Sequence, residues 1–195
     1  MNRGIDKGGI FDVVAIGSAT ADFFADTDSE LINIQTRTTT EEFIAFPLGS
    51  KLLINKLNIT SGGGGTNTAV AFSRLGFNTG YLGKVGGDSN GDLVINNLAS
   101  ENIDFIGPRE GQTGMSFILN SISQDRSILV YKGANNLLRP DELIPFESQW
   151  IYLASMLDQS FDTVVALLQK QSCRLAFNPS NYQAELGYDE LAALI

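Results

Sequence analysis

Ser61-Gly62-Gly63-Gly64-Gly65-Thr66-Asn67-Thr68-Ala69-Val70-Ala71 is the stretch on which the reading of this chain turns. Four consecutive glycines run into a segment with helical spacing. Ala69, Phe72 and Leu75 fall on one helical face, and Gly76 stands where a helix closes on a glycine. Glycines let a ligand approach the backbone. The helix start behind them offers N–H groups and the positive end of its dipole. The run is not a Walker phosphate loop, because no Gly-Lys-Ser/Thr follows. It is not the dinucleotide fingerprint either, which would come directly after the first strand. Taken alone it fits a flexible turn as well as a binding loop.

Upstream, Phe11 to Ile16 is an apolar run bounded by Gly17 and Ser18, as a buried parallel strand requires. Residues 1–10 read as a mobile leader without the apolar core of a secretory signal. Residues 31–59 alternate in part, around a turn at Pro47-Leu48-Gly49-Ser50, and predict a meander of half-exposed strands with no helix between them. Downstream, Thr79 to Val85 predicts a strand, and Val94 with Leu98 predicts a helix. Ser116–Leu119 and Ser127–Tyr131 predict two strands joined by a polar loop. Trp150–Leu153 predicts another strand, followed by a helix on Phe161, Val164, Val165 and Leu168. Arg174–Phe177 predicts the next strand, which stops at Asn178-Pro179, and Asp189 to Ile195 begins a helix. Strands alternating with helices predict an α/β fold with a mostly parallel sheet, and the early strands a small β element beside it.

Composition narrows the function. The chain has 195 residues, 43% of them hydrophobic and 18% charged, which describes a folded domain. Its net charge of −9 argues against nucleic acid as partner. No apolar run reaches the roughly 18 residues of a membrane helix, so no membrane partner is expected. There is no histidine, which excludes a Ser-His-Asp triad and a His-ligated zinc. The single cysteine, Cys173, forms no intrachain disulfide, reads as a packed side chain and suits a cytoplasmic protein.

Two carboxylate-bearing loops stand out. Asp22 follows the first strand, where open α/β sheets bind ligands, and a carboxylate there accepts hydrogen bonds from vicinal hydroxyls. Asp88, Asn90 and Asp92 have the spacing that opens a calcium loop, but Leu93 and Ala99 stand where such a loop needs Gly and Glu. A helix N-cap is the better reading, and no metal site is expected.

These segments together resemble the ribokinase-like (PfkB) carbohydrate and nucleoside kinases. The resemblance runs through Gly17-Ser18-x-x-Ala21-Asp22, Gly62 to Ala71, Arg74-Leu75-Gly76, Gly83-x-Val85-Gly86-x-Asp88-x-x-Gly91, Thr113-Gly114, Gly133-Ala134-Asn135 and Asn178-Pro179. It implies a three-layer α/β/α sandwich, Rossmann-like, with a small β-sheet lid, and puts that lid at 31–59. In many members the lid closes over the sugar, and in some it makes a homodimer contact; Ile34, Phe43, Ile44 and Phe46 suit either task. It implies a sugar or nucleoside as substrate, with Asp22 and Asn67 on its hydroxyls, Gly62 and Gly63 beneath it, and Gly133 and Ala134 in a nearby loop. Arg126 and Lys132, with Arg109 near them, are candidates for phosphate contact.

The chain also departs from the family. Gly64 stands where members often carry Lys, and Ser155 where ribokinase carries Glu. The family's Gly-Ala-Gly-Asp motif, whose Asp is the general base, is absent from these residues. The expectation is therefore residues 11–195 as the N-terminal, substrate-binding part of a kinase domain whose C-terminal part is missing. ATP and Mg²⁺ would serve the longer enzyme and would not be held by this chain alone. No catalytic residue is assigned within it. The alternative is a non-catalytic sugar-binding or partner-binding relic of the fold.

Overall fold

The computed structural model describes residues 10–27, 30–121, 125–185 and 187–192. The expected leader, apart from Ile10, lies outside them, as does the middle of the loop before Arg126. In chain order the elements are β1 (Phe11–Ile16), β2 (Thr20–Thr27), β3 (Glu30–Gln35), β4 (Thr40–Ala45), β5 (Ile54–Gly62), α1 (Gly64–Arg74) and β6 (Thr79–Leu82). Then come α2 (Ser89–Ser100), β7 (Asp104–Phe105), β8 (Gly114–Asn120), β9 (Arg126–Tyr131), β10 (Ser148–Leu153), α3 (Asp158–Leu168), β11 (Arg174–Phe177), α4 (Asn181–Ala184) and α5 (Tyr188–Leu191). Two short 3-10 turns, Gly133–Asn136 and Pro140–Glu142, separate β9 from β10.

The central sheet has five strands in the order β11-β10-β1-β6-β7, every neighbouring pair parallel. β1 lies in the middle because Val14, Ala15 and Ile16 are all fully buried, as a strand covered on both faces must be. Its alternate residues face opposite layers. Val14 and Ile16 join Leu82, Ile151, Leu153 and Val164 of α3 on one face. Ala15 joins Tyr81, Ala69 of α1, and Val94 and Leu98 of α2 on the other. Helices therefore cover both faces, in the three-layer α/β/α arrangement. Among the described residues no helix is long and apolar enough to cross a membrane.

A second sheet of four strands, in the order β5-β2-β8-β9, rises from the rim of the first. β2 pairs with β8 in parallel and with β5 antiparallel, and β9 pairs antiparallel with β8. β3 and β4 form a separate antiparallel hairpin. The sequence reading of 31–59 as one meander is thus corrected. Its first part closes on itself, and its last part is drawn into another sheet by the register Thr20↔Gly62.

Two smaller expectations change as well. Asp22 lies within β2 and not in a loop, because the chain turns in only three residues between β1 and β2. Leu75 is 73% exposed and not part of the packed face of α1, because the helix ends there; Gly76 follows with a φ of +94°. Ala69 is fully buried as expected.

Candidate functional site

Asp22, Gly62, Gly63, Gly133 and Ala134, all singled out in the sequence, gather around a three-residue strap, Gly17-Ser18-Ala19, at the carboxyl end of β1. On one side the strap caps α1. The backbone N–H groups of Gly65 and Thr66 donate to the Ser18 carbonyl at 3.0 and 3.4 Å, and that of Gly64 donates to Ser18 Oγ at 3.2 Å. This corrects the view of the helix start as a set of free donors: its first amides are already engaged. The glycines are there for close approach. Gly63 has a φ of +106°, and a Cβ on it would lie 2.8 Å from Ala19 Cα. Thr66 Oγ1 donates to the Gly62 carbonyl at 2.5 Å and closes the turn.

Asp22 sits three residues beyond the strap on β2. A Cβ on Gly62 would lie 2.6 Å from Asp22 Cγ and closer still to Oδ2, so only glycine leaves room for this carboxylate. Asp22 Oδ1 is buried and has no hydrogen-bond partner among the described residues. Leaving such an acceptor unpaired costs about 1–3 kcal/mol. Asn67 lies on the first turn of α1, exposed, and its side chain has no partner among the described residues.

On the other side of the strap lies the turn Gly133–Asn136. Ala134 N–H donates to the Gln112 carbonyl at 2.8 Å. Asn135, only 3% exposed, accepts from Ala19 N–H at 2.8 Å and donates to the Ala19 carbonyl at 2.8 Å. The structure thus sets Asp22, Gly62 and Gly63 against one another and ties Gly133 and Ala134 to the same strap.

The basic residues scatter. Lys132 precedes this turn, exposed and unpaired among the described residues. Arg126 opens β9 opposite Asn120, at the far end of the second sheet from Asp22. The strand rise puts roughly 13 Å between their rows. Arg109 is occupied by Asp92 at 2.7 Å and the Gly86 carbonyl at 3.3 Å.

Asp88 caps α2, as expected: its carboxylate accepts from Gly91 N–H at 2.9 Å, Thr113 N–H at 3.0 Å and Thr113 Oγ1 at 2.5 Å. Burial opposes its ionisation, but the bonds from Thr113 and Gly91 outweigh it and hold the carboxyl below its ordinary value. Cys173 packs against the core, and burial pushes its thiol up.

Lys84 is a supporting residue that the sequence did not reveal. It is 2% exposed and donates to Glu110 at 2.7 Å, Glu142 at 2.7 Å and the Leu137 carbonyl at 3.1 Å. This fixes the segment just after Asn135 to the end of β6. Desolvation works against the ammonium, but the two carboxylates outweigh it and raise its pKa.

The sheet order defines a doubly wound α/β domain with a polar, glycine-lined site at the carboxyl end of its central strand. The chain matches the pfkB family carbohydrate kinase domain over residues 11–194 and belongs to that family. Over 156 residues it is 30% identical to a ribokinase of Haemophilus influenzae, an alignment covering 75% of this chain and 50% of that protein. It is 36% identical over 95 residues to the ribokinase of Bacillus subtilis, covering 47% and 32% of the two chains. The ribokinase structure from Giardia lamblia superposes with a TM-score of 0.73 at 21% identity, covering 94% of this chain and 55% of that one. The Thermotoga maritima ribokinase superposes with a TM-score of 0.70 at 20% identity, covering 95% and 65%. Matches thus span about half or less of the length of these curated relatives.

Proposed function

We propose that this chain holds a sugar or nucleoside against the Gly17–Ala19 strap, as the substrate-binding part of a kinase that phosphorylates a hydroxyl with ATP. The observation that carries this reading is the buried Asp22 Oδ1, without a partner among the described residues and packed against a glycine that keeps side chains away from it. A polyol satisfies such an atom, since vicinal hydroxyls donate to both oxygens of one carboxylate. Asn67 adds a donor and an acceptor, Gly62 and Gly63 let the ring lie on the backbone, and Gly133 and Ala134 close the side opposite. Lys132 is the cation placed to meet a phosphate on the substrate; Arg126 is too far along its strand to share that task.

The four-stranded sheet serves as the lid in this reading. One of its faces carries Asp22, Thr60, Ser116 and Val130 in a row across the strands. The opposite face carries Ile59, Phe23, Phe117 and Leu129, with Phe23 and Phe117 stacked at 5.1 Å between centroids. Phe117 and Leu129 are 42% and 60% exposed, and a second copy of the chain would cover them in a homodimer. Ile34, Phe43, Ile44 and Phe46, singled out in the sequence for that role, belong to the hairpin region, outside the four-stranded sheet.

ATP would supply the phosphoryl group and Mg²⁺ would shield its charge. The reading assigns neither to residues of this chain, whose described part holds no cluster of three or more metal-ligating acidic or sulfur groups. It assigns no general base either: Asp22 positions hydroxyls and does not take the reacting proton.

Calorimetric titration of the chain with D-ribose, D-fructose and adenosine tests this. At least one binds, and Asp22→Ala weakens it by about 1.5–3 kcal/mol, roughly 10- to 150-fold. No binding by the parent, or an unchanged affinity in the variant, refutes the reading.

A further inference from the structure

The strap beneath the candidate pocket is held almost entirely by side chains and backbone distant in sequence. Gly17 N–H donates to the Leu82 carbonyl at 3.2 Å, and its carbonyl accepts from Tyr81 Oη at 2.9 Å. Ser18 is engaged by the start of α1. Ala19 alone has neither polar backbone group bonded to another backbone group. Both go to Asn135, 116 residues away. A primary amide mirrors a peptide group, with one acceptor and one donor side by side, so Asn135 pairs with Ala19 as a neighbouring strand would. Aspartate lacks the donor, glutamine is one methylene too long, and a hydroxyl cannot reach both atoms.

Three further facts show that the surroundings are built for this amide. Asn135 is 97% buried by the complement of its 3% exposure, so solvent is a poor substitute for its partners. Gly114 has no room for a side chain: a Cβ there would sit on Asn135 Nδ2, and 2.9 Å from the Lys132 carbonyl. The residues around Asn135 are pinned from other directions. Asn136 donates to Asp158, Leu138 N–H donates to Ser160 Oγ at 2.8 Å, and Thr163 Oγ1 donates to the Leu138 carbonyl at 2.8 Å.

We propose that Asn135 is a positioning residue: it sets the strap in register with the Gly133–Ala134 turn and so fixes Asp22, three residues further along, relative to the opposite wall of the pocket. The pocket's role in sugar binding rests on the function proposed above; the clamp itself does not. Asn135 touches no substrate in this account.

The test uses the 195-residue chain with Asn135→Ala, Asn135→Asp and Gly114→Ala. Amide hydrogen exchange is read at Ala19 and, as internal reference, at Val14 and Ile151 in the central sheet. Asn135→Ala speeds exchange at Ala19 at least tenfold and leaves the two reference amides unchanged. Asn135→Asp, which keeps the acceptor and loses the donor, falls between it and the parent. Gly114→Ala reproduces the Asn135→Ala result with the asparagine still present, and stands in if Asn135→Ala does not fold. Affinity for the tightest of D-ribose, D-fructose and adenosine falls at least tenfold in the same order. Unchanged exchange at Ala19 overturns the proposal, as does faster exchange with affinity intact. If the parent binds none of the three, the function proposed above fails separately, and exchange at Ala19 alone decides for or against the clamp.

Discussion

Gly62→Ala places one methyl group between the last residue of β5 and the Asp22 carboxylate. The new Cβ would lie 2.6 Å from Asp22 Cγ. Carbon atoms pack best at about 3.5–4.0 Å, so something must give by roughly an ångström. Either Asp22 leaves its rotamer or β5 moves off β2 at the Thr20↔Gly62 pair. Overpacking of this kind costs about 1–3 kcal/mol. For a domain of this size that lowers the melting temperature by roughly 2–12 °C. The backbone of Gly62 is not in the left-handed region, so alanine itself is tolerated there. Remove the carboxylate, and the same change should stabilise by about 0.4–1 kcal/mol through the unfolded chain. The sign of Gly62→Ala therefore reverses in an Asp22→Ala background. Urea melts of the parent, both single variants and the double variant measure this, and need no ligand. Additivity within about 0.5 kcal/mol would show that Gly62 and Asp22 do not meet, and the description of the pocket floor would fall with it.

Lys84→Met removes the buried ammonium that joins Glu110 to Glu142, and leaves Glu142 to Arg139 alone, at 2.7 Å. Losing the charge-assisted bonds of Lys84 costs about 1.5–3 kcal/mol, and a loss below about 0.5 kcal/mol in the same melts would contradict the assignment. Glu110 is held down to about 2 from 4.5, first by its bond from Lys84 and then by Arg139. Its ionised form therefore contributes fully above pH 4.5 and fades as the pH falls toward 2. The melting-temperature gap between the parent and Glu110→Gln is accordingly constant above that window and closes within it; a gap independent of pH refutes the pairing.

The central sheet was legible in the sequence because its causes are local. Val13 to Ile16 is apolar throughout, as a strand covered on both faces must be, and Phe161, Val164 and Leu168 carry the helical period of α3. The second sheet was not, because both strands that pair with β2 lie far downstream of it in sequence. Phe23 meets Ile59 on one side and Phe117 on the other, and nothing near Phe23 names either. The same holds within the site. Asp22 and the glycines were singled out from their types and order, and the structure sets Gly62 against Asp22. That Ser18 takes the first amides of α1 was hidden, since the capping residue lies 46 positions upstream of Gly64. Asn135 stood in view inside Gly133-Ala134-Asn135, but a buried amide declares its purpose only when its partner is known.

The two aspartates that the sequence singled out now separate on physical grounds. Each lies near the end of a central strand, among glycines. Asp88 is fully employed: Gly91 and Thr113 bring it three hydrogen bonds, and together they outweigh its burial. Its work is internal, tying the start of α2 to the start of β8. Asp22 has a buried oxygen with no partner among the described residues, and Gly62 beside it brings no side chain against the carboxylate. A side chain at position 62 would displace the carboxylate and fill the space above it. The chain keeps the unsatisfied acceptor and the space together. In the function proposed above, the substrate supplies the missing donor. That proposal asks for a molecule thin enough to lie on Gly62 and Gly63 and rich enough in hydroxyls to donate more than once, which is the chemistry of a sugar ring.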